Sequence, residues 1–139
     1  MVAATQFARR RVLILGLGLF GGGASAARWF AQRGARVTAT DLRSARVLAP
    51  TLRQLRGWPI NFVLGRHRRS DVRTADLLIR NPAIPNGHPL LRAADAVSVP
   101  VEGDTGFCFA LSSAPIVGIT GSKGKSTTAA LAAALLHDI

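Results

Sequence analysis

The chain has no tyrosine, one cysteine, three histidines and only 7 acidic residues against 18 basic ones. A single cysteine, Cys108, permits neither an intrachain disulfide nor a cysteine-cluster metal site. Between Phe107 and Phe109 it reads as a buried small hydrophobe. His67, His88 and His137 are too scattered to suggest a metal site or a catalytic triad, and each reads as a surface or loop histidine. Aromatic residues make up 6% of the chain, too few for a stacking platform that would bind single-stranded nucleic acid. Beyond the first thirty residues no segment approaches the roughly 20 apolar residues needed to span a bilayer, so a soluble, cytoplasmic protein with no membrane partner is expected. No internal repeat or low-complexity linker is visible. With 139 residues, 48% of them apolar, the chain can bury one ordinary core but cannot hold two complete nucleotide-binding domains.

What is abundant is arginine. The formal net charge is +11, and Arg9 to Arg11 with the cluster Arg66, His67, Arg68 and Arg69 could contact nucleic-acid phosphates. The plainer reading is a solvated, arginine-biased surface, and no nucleic-acid partner is expected.

The two lysines, Lys123 and Lys125, lie in Gly118-Ile119-Thr120-Gly121-Ser122-Lys123-Gly124-Lys125-Ser126-Thr127-Thr128. The apolar run Pro115 to Val117 precedes this stretch and an alanine-rich helical segment follows it. Strand, glycine turn and helix together read as a phosphate-binding loop, in which backbone N–H groups and the helix N-terminus face phosphate oxygens. Gly121, Ser122, Lys123 and Gly124 would supply the cradle for a nucleotide's phosphates. Lys125 would neutralise β and γ charge, with Mg²⁺ held by Ser126 or Thr127. A compact ammonium on a flexible stem suits this task. Ile119 stands where the eight-residue pattern has its first glycine, so only the short form is present. A short glycine turn before a Ser/Thr-capped helix could also be merely structural.

A second glycine constellation follows the buried-strand pattern Arg11 to Leu15. Gly16-x-Gly18-x-x-Gly21 opens a helical segment running to about Arg33, which Gly34 closes. Ala35 to Thr40 then reads as a strand and ends at Asp41. Three glycines for the tight turn, phosphate approach and helix packing, with a distant carboxylate to meet a ribose or base, complete a dinucleotide-type fingerprint. Arg9 to Arg11, Val12 to Phe20 and Ala24 to Ala26 also imitate a secretory signal. Regular glycines and the amphipathic continuation speak against that reading.

Further along, strand-like and helix-like stretches alternate: Leu48 to Arg56, Ile60 to Leu64, Ala75 to Ile79, a short helix near His88 to Ala94, and Val97 to Val99. This alternation predicts an α/β fold, a Rossmann-like doubly wound parallel sheet of order 3-2-1-4-5, with ligand at the carboxyl edge where the order reverses. The expected organisation is a nucleotide-binding domain over 1–102, a linker over 103–114, and the first strand, phosphate loop and helix of a truncated larger domain over 115–139. The helix Lys125 to Leu136 is apolar on nearly every side, as in the interior of a larger domain. The chain therefore reads as the front of a longer protein. Its last strand and helix are expected to pack on the first domain or on a neighbouring molecule, with self-association through that segment.

The two motifs in this order resemble the N-terminal part of the Mur ligases, most closely the branch that joins D-glutamate to UDP-N-acetylmuramoyl-L-alanine. Gly16 to Gly21 is similar to GLGLTG, Asp41-Leu42-Arg43 to DTR, Asn81-Pro82-Ala83-Ile84 to SPGI, and Ile119 to Thr127 to ITGTNGKST. The resemblance implies a first domain holding the UDP-sugar substrate, with Gly18, Leu19, Phe20 and Gly21 at the diphosphate and Asp41, Leu42 and Arg43 flanking uracil and ribose. It also implies that 115–139 opens a central ATPase domain holding ATP at Gly121, Ser122, Lys123, Gly124, Lys125, Ser126 and Thr127, with Lys125 as the catalytic lysine. ATP would phosphorylate the substrate carboxylate, and the D-glutamate amine would attack the acyl phosphate. The family's later catalytic elements would lie beyond Ile139, so this chain alone is not expected to catalyse ligation.

Phe20 and Leu42 replace the family's usual threonines, which removes two hydroxyl contacts to the UDP end. Ala83 replaces a glycine, Gly106 a commonly acidic residue and Lys123 an asparagine. Two alternatives stay open: a Mur-ligase-like paralogue with another substrate, and an NAD(P)-binding domain of a dehydrogenase or redox sensor resting on Gly16 to Asp41 alone.

Overall fold

The computed structural model describes residues 7–103, 106, 107, 112 and 114–137. Cys108 lies outside them. Five strands, β1 (Arg11–Leu15), β2 (Arg36–Asp41), β3 (Ile60–Leu64), β4 (Leu77–Arg80) and β5 (Val101–Gly103), form one sheet of order β3-β2-β1-β4-β5. Every pairing is parallel. The order and the α/β class are those expected from the alternating pattern.

The central strand β1 is buried on both sides because its residues alternate between two cores. Val12 and Ile14 pack with Leu77 and Ile79 of β4 against α1 (Gly22–Gln32) and α2 (Ala49–Gln54), where Phe30 is fully buried. Leu13 and Leu15 pack on the other face with Val72 of α3 (Arg69–Arg73) and with Leu90 and Ala94 of α4 (Pro89–Asp95). Burying a side chain such as Phe30 contributes about 2 kcal/mol. Phe7, Trp29, Phe30 and Phe107 close the first core as an edge-to-face and tilted cluster, with Arg33 capping Trp29 at 3.6 Å.

Two local expectations differ from the fold, and one helix is unforeseen. The last strand begins at Val101, not Val97, because residues 96–99 close α4. Val97 and Val99 donate back to Ala94, and Ser98 takes a left-handed conformation (φ 55°). The ladder begins only where the Pro100 carbonyl accepts from Leu78. Helix α3, with Val72 as its only buried residue, carries too little apolar periodicity to stand out in the sequence. Finally, residues 115–117 form no strand, since among the described residues no neighbouring strand pairs with them and an unpaired segment has no ladder to join.

Helix α5 (Lys125–His137) forms as expected. It does not pack on the sheet domain: Leu131, Leu135 and Leu136 are 62%, 73% and 66% exposed. Helices α1 to α4 already cover the central strands on both sheet faces.

Candidate functional site

In a parallel sheet the chain leaves β1 toward β2 on one face and enters β4 from the other, so the loops after β1 and β4 diverge and leave a crevice at the carboxyl edge. That crevice encloses about 600 Å³. One wall is the glycine loop with Gly18, Leu19 and Phe20, and the floor is Asp41, Leu42 and Arg43. The opposite wall is Asn81 to Pro85, with His67 and His88. All the residues expected at the UDP end except Gly21 line it, and Gly21 stands next to it as the N-cap of α1.

The glycine loop is held by tertiary contacts. Gly16 and Gly18 adopt φ of 88° and 69°, which L side chains rarely take, and a Cβ on Gly16 would sit 2.9 Å from the Asn81 Cβ. Gly18 is gripped at both backbone groups. Its N–H donates to Asp41 Oδ2 at 2.9 Å, and its carbonyl accepts from the Thr51 hydroxyl at 2.9 Å. Asp41 Oδ1 also accepts from the Arg43 backbone N–H at 2.8 Å. Asp41, read from sequence as a ribose or base contact, is 2% exposed and braces the chain's own loop. Its neighbour Arg43 keeps an exposed guanidinium, 3.4 Å from the carboxylate.

The packing role read for Gly21 belongs instead to Gly23. A Cβ at Gly21 would meet nothing within 4 Å, whereas one at Gly23 would lie 2.5 Å from the carbonyl oxygens of Gly16 and Leu17. Sequence reasoning missed this because Gly21, Gly22 and Gly23 are consecutive and only the helix register separates them. Gly21 opens α1 in a left-handed conformation, with no side-chain cap and no acidic residue in the first turn. The first-turn amides and the helix dipole therefore face the crevice uncompensated, an arrangement that favours an anion.

Phe20 and Leu42, which lack the hydroxyls of threonine, form an apolar lip with Leu19. Phe20 is fully exposed, Leu42 65% and Leu19 43%. Across from it, Asn81 Oδ1 accepts from the Ala83 N–H at 3.0 Å and turns the Pro82-containing loop over the crevice. His67 and His88, too far apart in sequence to suggest a cluster, meet here with ring centroids 5.3 Å apart, edge to face. Their separation of twenty-one positions hid this, because only the closure of β3 and β4 into one sheet brings the two loops together.

At the C-terminal loop, Gly121 and Gly124 have φ of 152° and 81°. Lys125 Nζ donates to the Gly121 carbonyl at 2.6 Å, and the Thr128 N–H donates to the Gly124 carbonyl at 2.9 Å. Ser122, Lys123, Ser126 and Thr127 are exposed. Both loops are thus glycine turns entering a helix, but only the first is enclosed.

A family model described as the N-terminal domain of Mur ligase MurD-like proteins matches residues 10–103. The UDP-N-acetylmuramoylalanine--D-glutamate ligase of Roseiflexus sp. (strain RS-1) is 45% identical over 133 residues, which is 96% of this chain and 28% of that protein. The same-named ligase of Treponema pallidum (strain Nichols) is 45% identical over 122 residues, 86% of this chain and 23% of that protein. The chain thus spans about a quarter of the length of the curated relatives it matches. A solved pseudomurein peptide ligase type C from Methanothermus fervidus shares the fold, with a TM-score of 0.52 and 24% identity over 86% of this chain and 24% of that one. The chain belongs to the MurD-like Mur ligases, and residues 10–103 are their N-terminal domain.

Proposed function

We propose that this chain is the substrate-binding end of an ATP-dependent ligase that joins D-glutamate to UDP-N-acetylmuramoyl-L-alanine, a step of peptidoglycan precursor synthesis. The reading rests on one observation above others: the braced glycine loop and uncapped α1 N-terminus open onto a crevice at the point where strand order reverses. The substrate diphosphate lies against the amides of Leu19 to Gly22, the Gly18 amide being already committed to Asp41. The exposed Arg43 guanidinium adds charge beside it, and Phe20 and Leu42 cover the nucleoside with apolar surface in place of hydroxyl contacts.

The Gly121 to Thr127 loop takes the ATP phosphates, and Lys125 leaves the Gly121 carbonyl to meet the transferred phosphoryl group. Positioning and electrostatic stabilisation supply most of the rate in such chemistry. The γ-phosphoryl passes from ATP to the substrate carboxylate, giving ADP and an acyl phosphate. The D-glutamate amine then attacks that carbonyl and expels phosphate as the amide forms. The hydroxyls of Ser126 and Thr127, on the exposed first turn of α5, are hard oxygen donors of the kind Mg²⁺ takes. When bound, the ion neutralises phosphate charge.

Calorimetry of the chain with UDP-N-acetylmuramoyl-L-alanine and with NAD tests the substrate assignment. Saturable binding of the uridine compound, weakened by Arg43→Ala, is expected. Saturable NAD binding with no response to uridine compounds would reverse it.

A further inference from the structure

The proposed function leaves one part of the crevice without a role: the two imidazoles facing each other across from the apolar lip. Their protonation pattern follows from their partners. The Thr40 hydroxyl lies 3.1 Å from the Arg66 carbonyl and 2.8 Å from His67 Nδ1. A carbonyl can only accept, so the hydroxyl proton goes to Arg66, and both contacts are satisfied only when His67 Nδ1–H donates to Thr40. His67 Nε2 is then a bare acceptor. In His88 the pattern is reversed. Its Nδ1 accepts from the Leu90 N–H at 3.2 Å and caps α4, so its proton resides on Nε2, which is a donor. Among the described residues neither Nε2 has a hydrogen-bond partner, and both rings line the crevice.

We propose that His67 and His88 read the nucleobase, His67 Nε2 accepting an imide N–H and His88 Nε2–H donating to the carbonyl beside it. This rests on the uridine reading above and adds polar contacts to the apolar cover given by Phe20 and Leu42. Uracil presents that N–H next to a carbonyl, whereas cytosine presents a bare ring nitrogen next to an amino group, so both contacts become mismatched. Guanine carries the same edge as uracil; the proposed substrate supplies uracil. Burial and then the neighbouring His88 lower the His67 pKa, against the pull of Asp41, a direction that favours the neutral ring with its acceptor lone pair. Each imidazole is a positioning group for its own loop through Nδ1 and a recognition group through Nε2.

Asparagine separates the two roles. His67→Asn keeps an N–H donor where Nδ1 stands, and His88→Asn keeps an acceptor there and is a preferred N-cap. Both remove the Nε2 atom. With UDP and CDP as probes, the wild-type chain is expected to prefer UDP by about tenfold or more, and each Asn variant to fall to within about threefold at an unchanged melting temperature. If the wild-type preference persists in both variants, or the wild type binds the two equally, the base-reading assignment is overturned while uridine binding stands. If the wild type binds neither, the substrate reading fails and takes this assignment with it. A second measurement needs no variant. The Nε2 ¹⁵N resonances of His67 and His88 should move on saturation with UDP and not with inorganic pyrophosphate, and resonances unmoved by UDP would overturn the assignment.

Discussion

The two glycine turns of this chain share a local plan and differ in what holds them. Around Gly16 to Gly23 the conformation is enforced from a distance: Asp41 and Thr51 grip Gly18 from 23 and 33 residues away, and Gly23 packs on the carbonyls of Gly16 and Leu17. Around Gly121 to Lys125 the hydrogen bonds span four residues and the side chains are exposed. The first cradle is rigid because the sheet domain encloses it. The second is only as fixed as a glycine turn at a helix N-terminus can be by itself. Preorganised amides bind an anion without first bearing an ordering cost, a condition the first loop meets and the second does not.

The contrast is broken most directly by placing a methyl group in each turn. Gly23→Ala forces a Cβ into two carbonyl oxygens and is expected to destabilise the sheet domain by about 3 kcal/mol in urea unfolding. Gly124→Ala meets open space but puts a side chain on a left-handed backbone (φ 81°); that strain stays local to the exposed turn, so the unfolding midpoint of the sheet domain should not shift. An equal loss of sheet-domain stability in both would mean that the second turn is coupled to the sheet domain.

Removing the brace comes next. Asp41→Ala strands the Gly18 and Arg43 amides and should cost about 2 kcal/mol, with Thr51→Val costing about 1 kcal/mol, in the same unfolding series. Amide exchange at Leu19 to Gly22 should quicken in both variants. Lys125→Ala, which removes the one side-chain contact described within the second turn, should leave the melting temperature of the sheet domain where it is.

The smallest effect is at the opposite edge of the sheet, where Asp76 accepts from the Arg11 guanidinium at 2.7 Å and from its backbone N–H at 2.8 Å. Those hydrogen bonds pull the Asp76 carboxyl from its ordinary 3.8 to about 2. A depressed carboxyl stabilises the fold above its unfolded value and stops doing so as pH falls. Stability should therefore decline from about pH 4 toward pH 2, modestly because the pair is solvent-exposed. Asp76→Asn should flatten that decline without altering exchange at Leu19 to Gly22. If it loosened the glycine loop, the separation between the two ends of the sheet would not hold.

Periodicity was enough for the elements whose residues repeat regularly. The strand pattern of Ile60 to Leu64, the apolar run Val12 to Leu15 and the glycine that closes the first helix all speak through nearest neighbours. Val97 to Val99 misled because β-branched residues next to Pro100 look like a strand, while the carbonyl of Ala94 claims their amides first. Helix α3 was silent because five residues with one buried side chain have no readable period.

At the site, residue types and spacing alone determined that two glycine turns precede helices, that β1 is central, and which loops carry Gly18, Phe20 and Arg43. Those are local facts, written in backbone preference and in the alternation of apolar residues. Only the tertiary structure decided that Asp41 serves its own loop, that Gly23 rather than Gly21 is the packing glycine, and that His67 and His88 face each other. Each of these depends on which distant backbone or ring arrives within about 3 to 5 Å once the strands pair, and no separation counted along the chain contains that distance.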